Sequence, residues 1–317
     1  MSKKVLSIIV PCYNEQDTIH PYISQMTDIE ALLPELTFEY WFINDGSKDN
    51  TLNVLKEISK QSEQYNYLSF SRNFGKEAAL YAGLEHARGN YITVMDVDLQ
   101  DPPELLPKMV ELLQQDDYDC IGTRRVTREG EPKIRSFFAK KFYKIINKIS
   151  DIEIVDGARD YRLMSRQMVD AILELKEYNR FSKGIFSWVG FNTYYLEFEN
   201  IERVDGETSW SFWDLLQYSI DGIISFSEFP LKLSTILGFI SFVASIFALI
   251  FIVIRALIFG DPTSGWPSLV FIVLALGGLQ LLCLGVVGQY LGKTFLETKQ
   301  RPIYIIKDKK ISSLKED

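Results

Sequence analysis

The sequence predicts an α/β fold with a doubly wound, mainly parallel sheet, followed by a two-helix transmembrane hairpin. Short apolar strands alternate with helical segments through residues 1–230, a pattern typical of parallel sheets covered by helices. Polar residues follow the strands at their carboxyl ends. Two long, uncharged apolar segments then occupy residues 233–254 and 268–291.

The strands are predicted from apolar runs that end in turn-forming residues. They lie at 5–10, 38–43, 67–70, 91–95 and 118–122. Leu52, Leu55 and Ile58 have helical spacing, which predicts a helix over 51–60 that Asp49 or Asn50 would cap. A further helix is expected through 78–84.

The apolar segments are long enough to span a membrane. The first has about 22 residues, and about 20 suffice for a hydrocarbon core about 30 Å thick. A buried core hairpin is the alternative, which two consecutive segments of this length disfavour. Flanking cations are Lys232 before the first span, Lys293, Lys299 and Arg301 after the second, and Arg255 at the edge of the connecting loop. Because cytoplasmic flanks carry the excess of Lys and Arg, we expect a plasma-membrane protein with both termini cytoplasmic.

Composition limits the function classes. The net charge of −8 argues against nucleic-acid binding, and the scattered cysteines and two histidines argue against a disulfide framework or zinc site. The predicted organisation is a soluble domain (1–209), a juxtamembrane amphipathic helix (210–231), two spans (232–292) and a C-terminal tail (293–317).

Two carboxylates follow the strand at 91–95. Asp96 and Asp98 are spaced i, i+2, so in extended backbone they point to the same side. Close carboxylates repel unless a cation lies between them, and hard oxygen ligands suit Mg²⁺ or Mn²⁺. A metal held by few protein ligands at a strand end usually takes phosphates as further ligands. The alternative is a solvated acidic turn.

The other strand ends carry complementary groups. Polar segments at 11–15, 44–47 and 71–76 would offer Asp45 as an acceptor for a base and Arg72 and Lys76 as cations for a diphosphate. Neither G-x-G-x-x-G after the first strand nor G-x-x-x-x-G-K-[ST] is present, which argues against a dehydrogenase and a P-loop NTPase.

Several blocks together resemble family 2 glycosyltransferases with a GT-A fold. The resemblance is to the polyprenyl-phosphate branch, which includes dolichol-phosphate mannose synthase and bacterial bactoprenol glucosyltransferases. The blocks are residues 9–15, 44–47, 71–77, 96–102, 160–163 and 179–184, with the paired spans. Their order and spacing cover nearly the whole chain.

The resemblance implies inverting transfer of a sugar, glucose or N-acetylglucosamine, from a UDP-sugar to undecaprenyl phosphate. The lipid-linked product would serve cell-envelope glycan modification. The implied donor-binding residues are Pro11, Tyr13, Asn14, Glu15, Asp45, Arg72, Lys76, Asp96, Lys183 and Arg203; the implied metal ligands are Asp96, Asp98 and Gln100; the implied acceptor-phosphate cations are Arg124 and Arg135. An attacking phosphate monoester is already largely anionic near neutral pH, so it needs positioning more than a strong base.

Asp160 matches the family's candidate base, and Asp98 is the second residue expected to be catalytic. Arg159 stands where the family pattern has Gly, so Asp156 remains a rival, and an ion pair of Asp160 with Arg162 is a purely structural alternative. Similarly, Asn14 and Glu15 could cap the next helix, and Asp45 could form an Asx turn.

Two further residues depart from the family pattern, and two surfaces carry expectations of their own. Ser209 stands where relatives commonly have Lys, and Asn44 where they commonly have Asp. A basic amphipathic helix over 134–149 could lie on anionic headgroups or simply be a surface helix. Glycines in the spans favour close helix packing and hence a homo-oligomer, such as a tetramer.

Two rival functions remain. The first is a membrane-anchored nucleotide-sugar sensor or scaffold without turnover. The second is a processive polysaccharide synthase, against which it counts that two spans are few to form a channel.

Overall fold

The computed structural model describes residues 3–115, 117–126, 146–150, 153–198, 220, 222–259 and 265–312. Over these ranges the chain forms an eight-stranded sheet with helices on both faces, and a long helical hairpin. The elements are β1 (Lys4–Cys12), α1 (Ile19–Leu32), β2 (Leu36–Asn44), α2 (Thr51–Gln61), β3 (Tyr65–Phe70), α3 (Lys76–His86), β4 (Tyr91–Val94), a 3₁₀ turn (Pro103–Leu105), α4 (Leu106–Gln115), β5 (Cys120–Arg125), β6 (Ala158–Ser165), α5 (Arg166–Glu174), α6 (Ser182–Trp188), β7 (Thr193–Phe198), α7 (Phe229–Phe259), α8 (Trp266–Thr298) and β8 (Ile306–Lys310).

The sheet has the order β7-β5-β6-β4-β1-β2-β3-β8. The central run β4-β1-β2-β3 is parallel, as predicted, and the predicted strands at 5–10, 38–43, 67–70, 91–95 and 118–122 and the predicted helices over 51–60 and 78–84 are present. The sheet as a whole is mixed, because β6 lies antiparallel between β4 and β5, and β8 lies antiparallel along β3. Strand β6, whose first five residues include the charged residues Arg159, Asp160 and Arg162, was not predicted from the sequence.

Strand side chains alternate between two buried clusters, one on each face of the sheet. Ile8 of β1 belongs to the cluster under α1, α2 and α4, whereas Ile9 belongs to the cluster under α3 and α5. Continuous apolar runs such as that of β1 are therefore buried on both sides. The helix α3 lies so close to β1 that a Cβ on Gly83 would stand 2.2 Å from Cγ2 of Ile9.

The helical hairpin contains both predicted spans. Both α7 and α8 include segments long and apolar enough to cross a membrane, with mean hydropathies of 2.3 and 2.0. Their apolar side chains are largely exposed, as with Phe247 and Leu281. Such an apolar surface, uncovered by protein in the described part of the chain, matches the hydrocarbon of a bilayer.

The C-terminal segment differs from the predicted tail at 293–317. Helix α8 continues to Thr298, and β8 pairs with the edge of the sheet. Tyr304 fixes the turn between them, because its ring stacks on Phe70 at 5.0 Å and its hydroxyl donates to Glu85 at 2.5 Å. The sequence of β8 is mostly lysine and aspartate, which suits an edge strand but resembles a solvated tail.

Two predicted helices lie partly outside the described residues. Of the basic helix over 134–149, residues 146–149 are described and helical, and Ile146 packs with Ile154 and Phe181. Of the juxtamembrane helix over 210–231, residues 222–226 are helical, and Phe229 already begins α7.

Candidate active site

Four loops meet at the carboxyl edge of the parallel strands. They follow β1, β2, β3 and β4 and border a cleft of about 290 Å³, the lower end of the range for small-molecule sites. The cleft is lined by Pro11, Cys12, Tyr13, Glu15, Asp45, Asn73, Gly75, Lys76, Ala79, Asp96, Val97 and Asp98. Most of the predicted donor-binding residues therefore border one cleft.

Asp45 holds the loop after β3 against the loop after β2. Its carboxylate accepts the backbone N–H of Phe74 at 2.6 Å and of Gly75 at 2.9 Å. Burial raises the pKa of Asp45, while the two amides and Arg72 oppose that rise. Each carboxylate oxygen keeps a second lone pair, so Asp45 can still accept a hydrogen bond from a ligand.

The side chain of Asn44, rather than that of Asp45, holds the turn after β2. The Asn44 side-chain oxygen accepts the N–H of Ser47 at 3.1 Å, and its amide donates to Ser69 at 2.9 Å. An aspartate could not donate to Ser69, so the amide fits this buried position. The turn also needs Gly46, whose φ is +64° and whose Cβ would lie 2.3 Å from the carbonyl carbon of Arg72.

Asn14 and Glu15 do not cap helix α1. Asn14, with a φ of 57°, accepts the N–H of Lys48 at 2.8 Å and so joins two loops of the cleft. The Glu15 carboxylate accepts the hydroxyl of Thr18 at 2.7 Å. Burial raises the pKa of Glu15, and the negative charges of Asp98 and Asp96 act in the same direction.

One ammonium group joins the two central carboxylates. Lys76 Nζ lies 2.8 and 2.9 Å from the two oxygens of Asp96 and 2.9 Å from an oxygen of Asp160. Helix α3 supplies Lys76 from its first turn, the loop after β4 supplies Asp96, and β6 supplies Asp160. The predicted diphosphate cation thus lies between the predicted metal ligand and the predicted base.

Asp160 is an ionised carboxylate at neutral pH. Burial by itself would raise its pKa, but the charges of Lys76, Lys183 and Arg162 outweigh burial and hold the pKa well below its usual range. The ion pair with Arg162 that was the structural alternative is replaced by the pair with Lys76. The Arg162 guanidinium instead lies 3.8 Å from the centre of the Phe186 ring and donates to the carbonyl of Arg159.

The rival Asp156 lies in the turn before β6, where its backbone carbonyl accepts a hydrogen bond from Arg124. Neither Asp156 nor Asp160 is among the described residues that line the cleft, but Asp160 shares the Lys76 ammonium with the cleft residue Asp96. This shared contact favours Asp160 over Asp156 as the candidate base.

Arg159, which stands where the family pattern has Gly, forms an ion pair with a buried carboxylate. Arg159 Nε donates to Asp101 at 3.1 Å, and Asp101 is 1% exposed. Burial raises the pKa of Asp101 to about 6, although Arg159 opposes the rise. Asp101 ends the loop that carries Asp96 and Asp98, so this ion pair fastens that loop to the strand of Asp160. In the sequence Arg159 stood out only as a departure from the family pattern, and its pairing was not predicted.

The loop residues predicted to bind a metal fit a site completed by substrate. Asp98 accepts the N–H of Gln100 at 3.2 Å across a turn in which Leu99 has a φ of 57°. In the described ranges no three His, Cys, Asp or Glu side chains form a metal cluster by themselves. Mg²⁺ and Mn²⁺ commonly use one or two carboxylates plus phosphates and water, so Asp96 and Asp98 need not form a cluster by themselves; here both oxygens of Asp96 lie within 2.9 Å of the Lys76 ammonium.

The remaining predicted cations are dispersed. The Arg72 guanidinium lies 4.0 Å from the Phe74 ring centre and outside the cleft lining. Lys183, in the first turn of α6, acts on Asp160 through its charge. Arg124 lies 3.8 Å from Glu197. Arg135 and Arg203, like Ser209, lie outside the described residues.

A mixed α/β sheet with this cleft at the carboxyl ends of its parallel strands, and an acidic pair after β4, defines a glycosyltransferase of the GT-A class. A family model described as glycosyl transferase family 2 matches residues 7–173. The chain belongs to glycosyl transferase family 2, and the resemblance inferred from the sequence is confirmed.

The relatives match over nearly their whole length. A bactoprenol glucosyl transferase of Shigella phage SfX is 42% identical over 96% of this chain and 99% of that protein. An uncharacterized glycosyltransferase of Synechocystis is 41% identical over 96% and 95%. A solved mannosyltransferase of Pyrobaculum calidifontis, in complex with GDP-Man and Mn²⁺, is 17% identical, covers 92% of this chain and 88% of its own, and has a TM-score of 0.49.

Proposed function

We propose that this enzyme transfers a sugar, glucose or N-acetylglucosamine, from a UDP-sugar to undecaprenyl phosphate at the cytoplasmic face of the membrane. The product would be a lipid-linked sugar for cell-envelope glycan modification. The observation that carries the proposal is the arrangement of Asp96, Lys76 and Asp160 at a cleft bordered by the strand-end loops.

The lipid acceptor is supported by two further findings. The relative named a bactoprenol glucosyl transferase aligns over nearly the whole chain, hairpin included. The hairpin itself would hold the enzyme at the surface where the phosphate of a polyprenyl lipid lies. A soluble acceptor would not require such a hairpin.

The reaction we propose is a single displacement. An oxygen of the lipid phosphate attacks C1 of the sugar, the bond from C1 to the diphosphate oxygen breaks, and UDP leaves with the electron pair, which inverts the configuration at C1. Asp160, held ionised by Lys76, is a weak base, so its task is to orient the acceptor and balance charge. Arg124 and Arg135 are the proposed partners of the acceptor phosphate.

The leaving diphosphate needs positive charge. Lys76 lies in the cleft for this purpose, and we assign Lys183 and Arg203 the same role. Asp96, Asp98 and Gln100 would hold Mg²⁺ or Mn²⁺, which would supply further positive charge against the diphosphate when bound. The uridine would contact Pro11, Tyr13, Asn14, Glu15 and Asp45.

Self-association through the hairpin stays a prediction. A Cβ added to Gly238, Gly277 or Gly285 would meet no atom of the described residues within 4 Å, so these faces are available to another helix. Cross-linking of the full chain in membranes would give a tetramer, or another defined homo-oligomer, if this prediction is right.

The proposal is tested by reconstituting the full chain in lipid nanodiscs with undecaprenyl phosphate. We expect release of UDP from UDP-glucose or UDP-N-acetylglucosamine, and transfer of radiolabelled sugar into the organic extract only when the lipid phosphate is present. Binding of UDP-sugar without UDP release would instead indicate a sensor or scaffold. Growth of a long glycan on the lipid would indicate a polysaccharide synthase.

A further inference from the structure

The last turns of helix α8 contact the juxtamembrane segment and the catalytic domain through one face. Tyr290, Lys293 and Glu297 are spaced i, i+3 and i+7, which brings them to the same side of a helix. Tyr290 donates to the carbonyl of Ser227 at 2.5 Å, and Lys293 donates to the hydroxyl of Ser225 at 3.0 Å. Glu297, one turn further on, reaches a different segment.

Glu297 accepts hydrogen bonds from the segment that leads into helix α6. Its two carboxylate oxygens each lie 3.0 Å from the N–H nitrogen of Tyr178. One of them also accepts the backbone N–H of Asn179 at 3.1 Å and its side-chain amide at 3.3 Å. A carboxylate that gathers several amides in this way makes charge-assisted hydrogen bonds, which are stronger than neutral ones.

The same segment is fastened at its other end beside the active site. Glu77 of α3 accepts the N–H of Ser182 at 3.0 Å and also its hydroxyl. Between these two anchors, the Arg180 guanidinium lies 4.5 Å from the ring centre of Tyr81, also on α3. Residues 178–182 therefore connect the membrane helix α8 with the helix that supplies Lys76.

The segment ends at a charge that acts on the candidate catalytic carboxylate. Lys183 follows Ser182 directly, in the first turn of α6, and is one of the cations that lower the pKa of Asp160. A shift of Glu297 would thus move the start of α6, and with it Lys183 relative to Asp160. The loops after β1, β2 and β4 are held by other contacts and would stay in place.

We propose that Glu297 is a positioning residue that couples the membrane hairpin to the active site by fixing the start of α6. The inference rests on the proposed function. Through this contact the hairpin sets the position of Lys183 opposite Asp160, in addition to holding the enzyme at the membrane. Loss of the contact displaces Lys183, the cation assigned above to the leaving diphosphate, while the loops that line the donor cleft keep their shape.

The test compares Glu297→Ala, Glu297→Gln and a matched control, each in the full chain in nanodiscs with UDP-glucose and undecaprenyl phosphate. Glu228→Ala is the control, because Glu228 is an exposed glutamate at the start of the other long helix whose ion-pair partner is Lys232. We expect Glu297→Ala to lower kcat on the order of tenfold, with a much smaller change in the KM for UDP-glucose, because Lys183 would act on the charge that the diphosphate gains as it leaves. Glu297→Gln keeps one acceptor oxygen and should recover part of the loss.

A second readout does not depend on turnover. Hydrogen–deuterium exchange of peptides covering 176–184 should be faster in Glu297→Ala than in the wild type and unchanged in Glu228→Ala. Wild-type kcat together with wild-type exchange in Glu297→Ala would overturn the inference. If Glu297→Ala fails to fold, the same comparison with Glu297→Gln decides. A wild-type enzyme without transfer activity would refute the proposed function, whereas the exchange rates would still report on Glu297.

Discussion

Asp160 and Asp96 share the ammonium group of Lys76, and this sharing determines what each carboxylate can do. A carboxylate with a strongly lowered pKa takes up protons poorly. Asp160 is therefore suited to fixing the acceptor and balancing charge, which is sufficient because a phosphate monoester is already a nucleophilic anion near neutral pH.

Asp160→Asn tests this role. It keeps the size of the side chain but removes the charge, and we expect kcat to fall by a factor on the order of 10² or more, with little change in the KM for the UDP-sugar. Asp170→Asn, on an exposed surface carboxylate, is the control and should behave as wild type. A parallel collapse of donor affinity would assign Asp160 to the donor instead.

Asp98→Ala tests the metal assignment. The substitution removes a charged ligand rather than a packing group, so we expect turnover to be lost while the thermal unfolding temperature changes little. EDTA should inhibit the wild type to the same degree, and added Mg²⁺ or Mn²⁺ should restore it. Wild-type activity in excess EDTA would contradict the assignment of Asp96, Asp98 and Gln100.

Glu77 gives stability a pH dependence. Burial raises its pKa from 4.5 to about 6, with the hydrogen bond from Ser182 opposing the rise. A raised carboxyl pKa means that the folded state holds the proton more tightly than the unfolded state. The contribution of this group is thus fully present below pH 4.5 and is lost as the pH rises through about 6.

Comparing wild type with Glu77→Gln isolates this contribution. The variant does not titrate, so between about pH 4.5 and pH 6.5 the wild type should lose about 1.5 kcal/mol of unfolding free energy relative to it. Thermal unfolding in detergent at several pH values measures the difference. Parallel pH profiles of the two proteins would show that Glu77 has an ordinary pKa.

At the scale of elements, the parallel centre of the sheet could be predicted because its strands are continuous apolar runs ended by turn residues. The strands β6 and β8 could not, because their charged residues are paired through tertiary contacts that sequence spacing does not reveal. Arg159 with Asp101, and Lys56 with Asp308 at 2.5 Å, are examples. Taken alone, the residues of β8 resemble a solvated tail, yet the edge of β3 supplies their hydrogen bonds.

The sequence also predicted part of the candidate site, namely the residues that follow the parallel strands. Residues that follow strands, such as Asp45 and Asp96, converge because the carboxyl ends of parallel strands share one edge. The pairing of Lys76 with Asp160 was not predictable, since it depends on how β6 inserts beside β4. The nearest sequence signal was Arg159, which departs from the family pattern at this place but did not reveal its pairing with Asp101.

The approach of α3 to the sheet gives an element-scale prediction. Gly83→Ala would place a methyl group 2.2 Å from buried Ile9, so we expect destabilisation of about 1–3 kcal/mol. Gly292→Ala on α8 is the matched control, because its Cβ would meet open space among the described residues. It should leave stability unchanged or slightly higher. Thermal unfolding of both variants measures the contrast, and equal effects would contradict the close packing.

At the scale of the whole molecule, the sheet itself constrains membrane topology. The chain leaves the catalytic domain, runs through α7 and α8, and returns to pair β8 with β3 of the same sheet. Both ends of the hairpin therefore lie on the side of the catalytic domain. The flanking lysines and arginines predict that this side is cytoplasmic, because such residues accumulate on cytoplasmic flanks.

Cysteine labelling of intact cells tests this topology. In a Cys283→Ala background, where the remaining Cys12 and Cys120 are buried, a cysteine at Ser264 in the connecting loop should react with an impermeant thiol reagent. A cysteine at exposed Glu57 on α2 should react only after the cells are lysed. Labelling of Glu57→Cys in intact cells would mean that the sheet lies outside the cell, where it could not reach a cytoplasmic pool of nucleotide sugar. Protection of both positions until lysis would mean that the hairpin does not cross the membrane, and the hairpin would then act as an interfacial anchor.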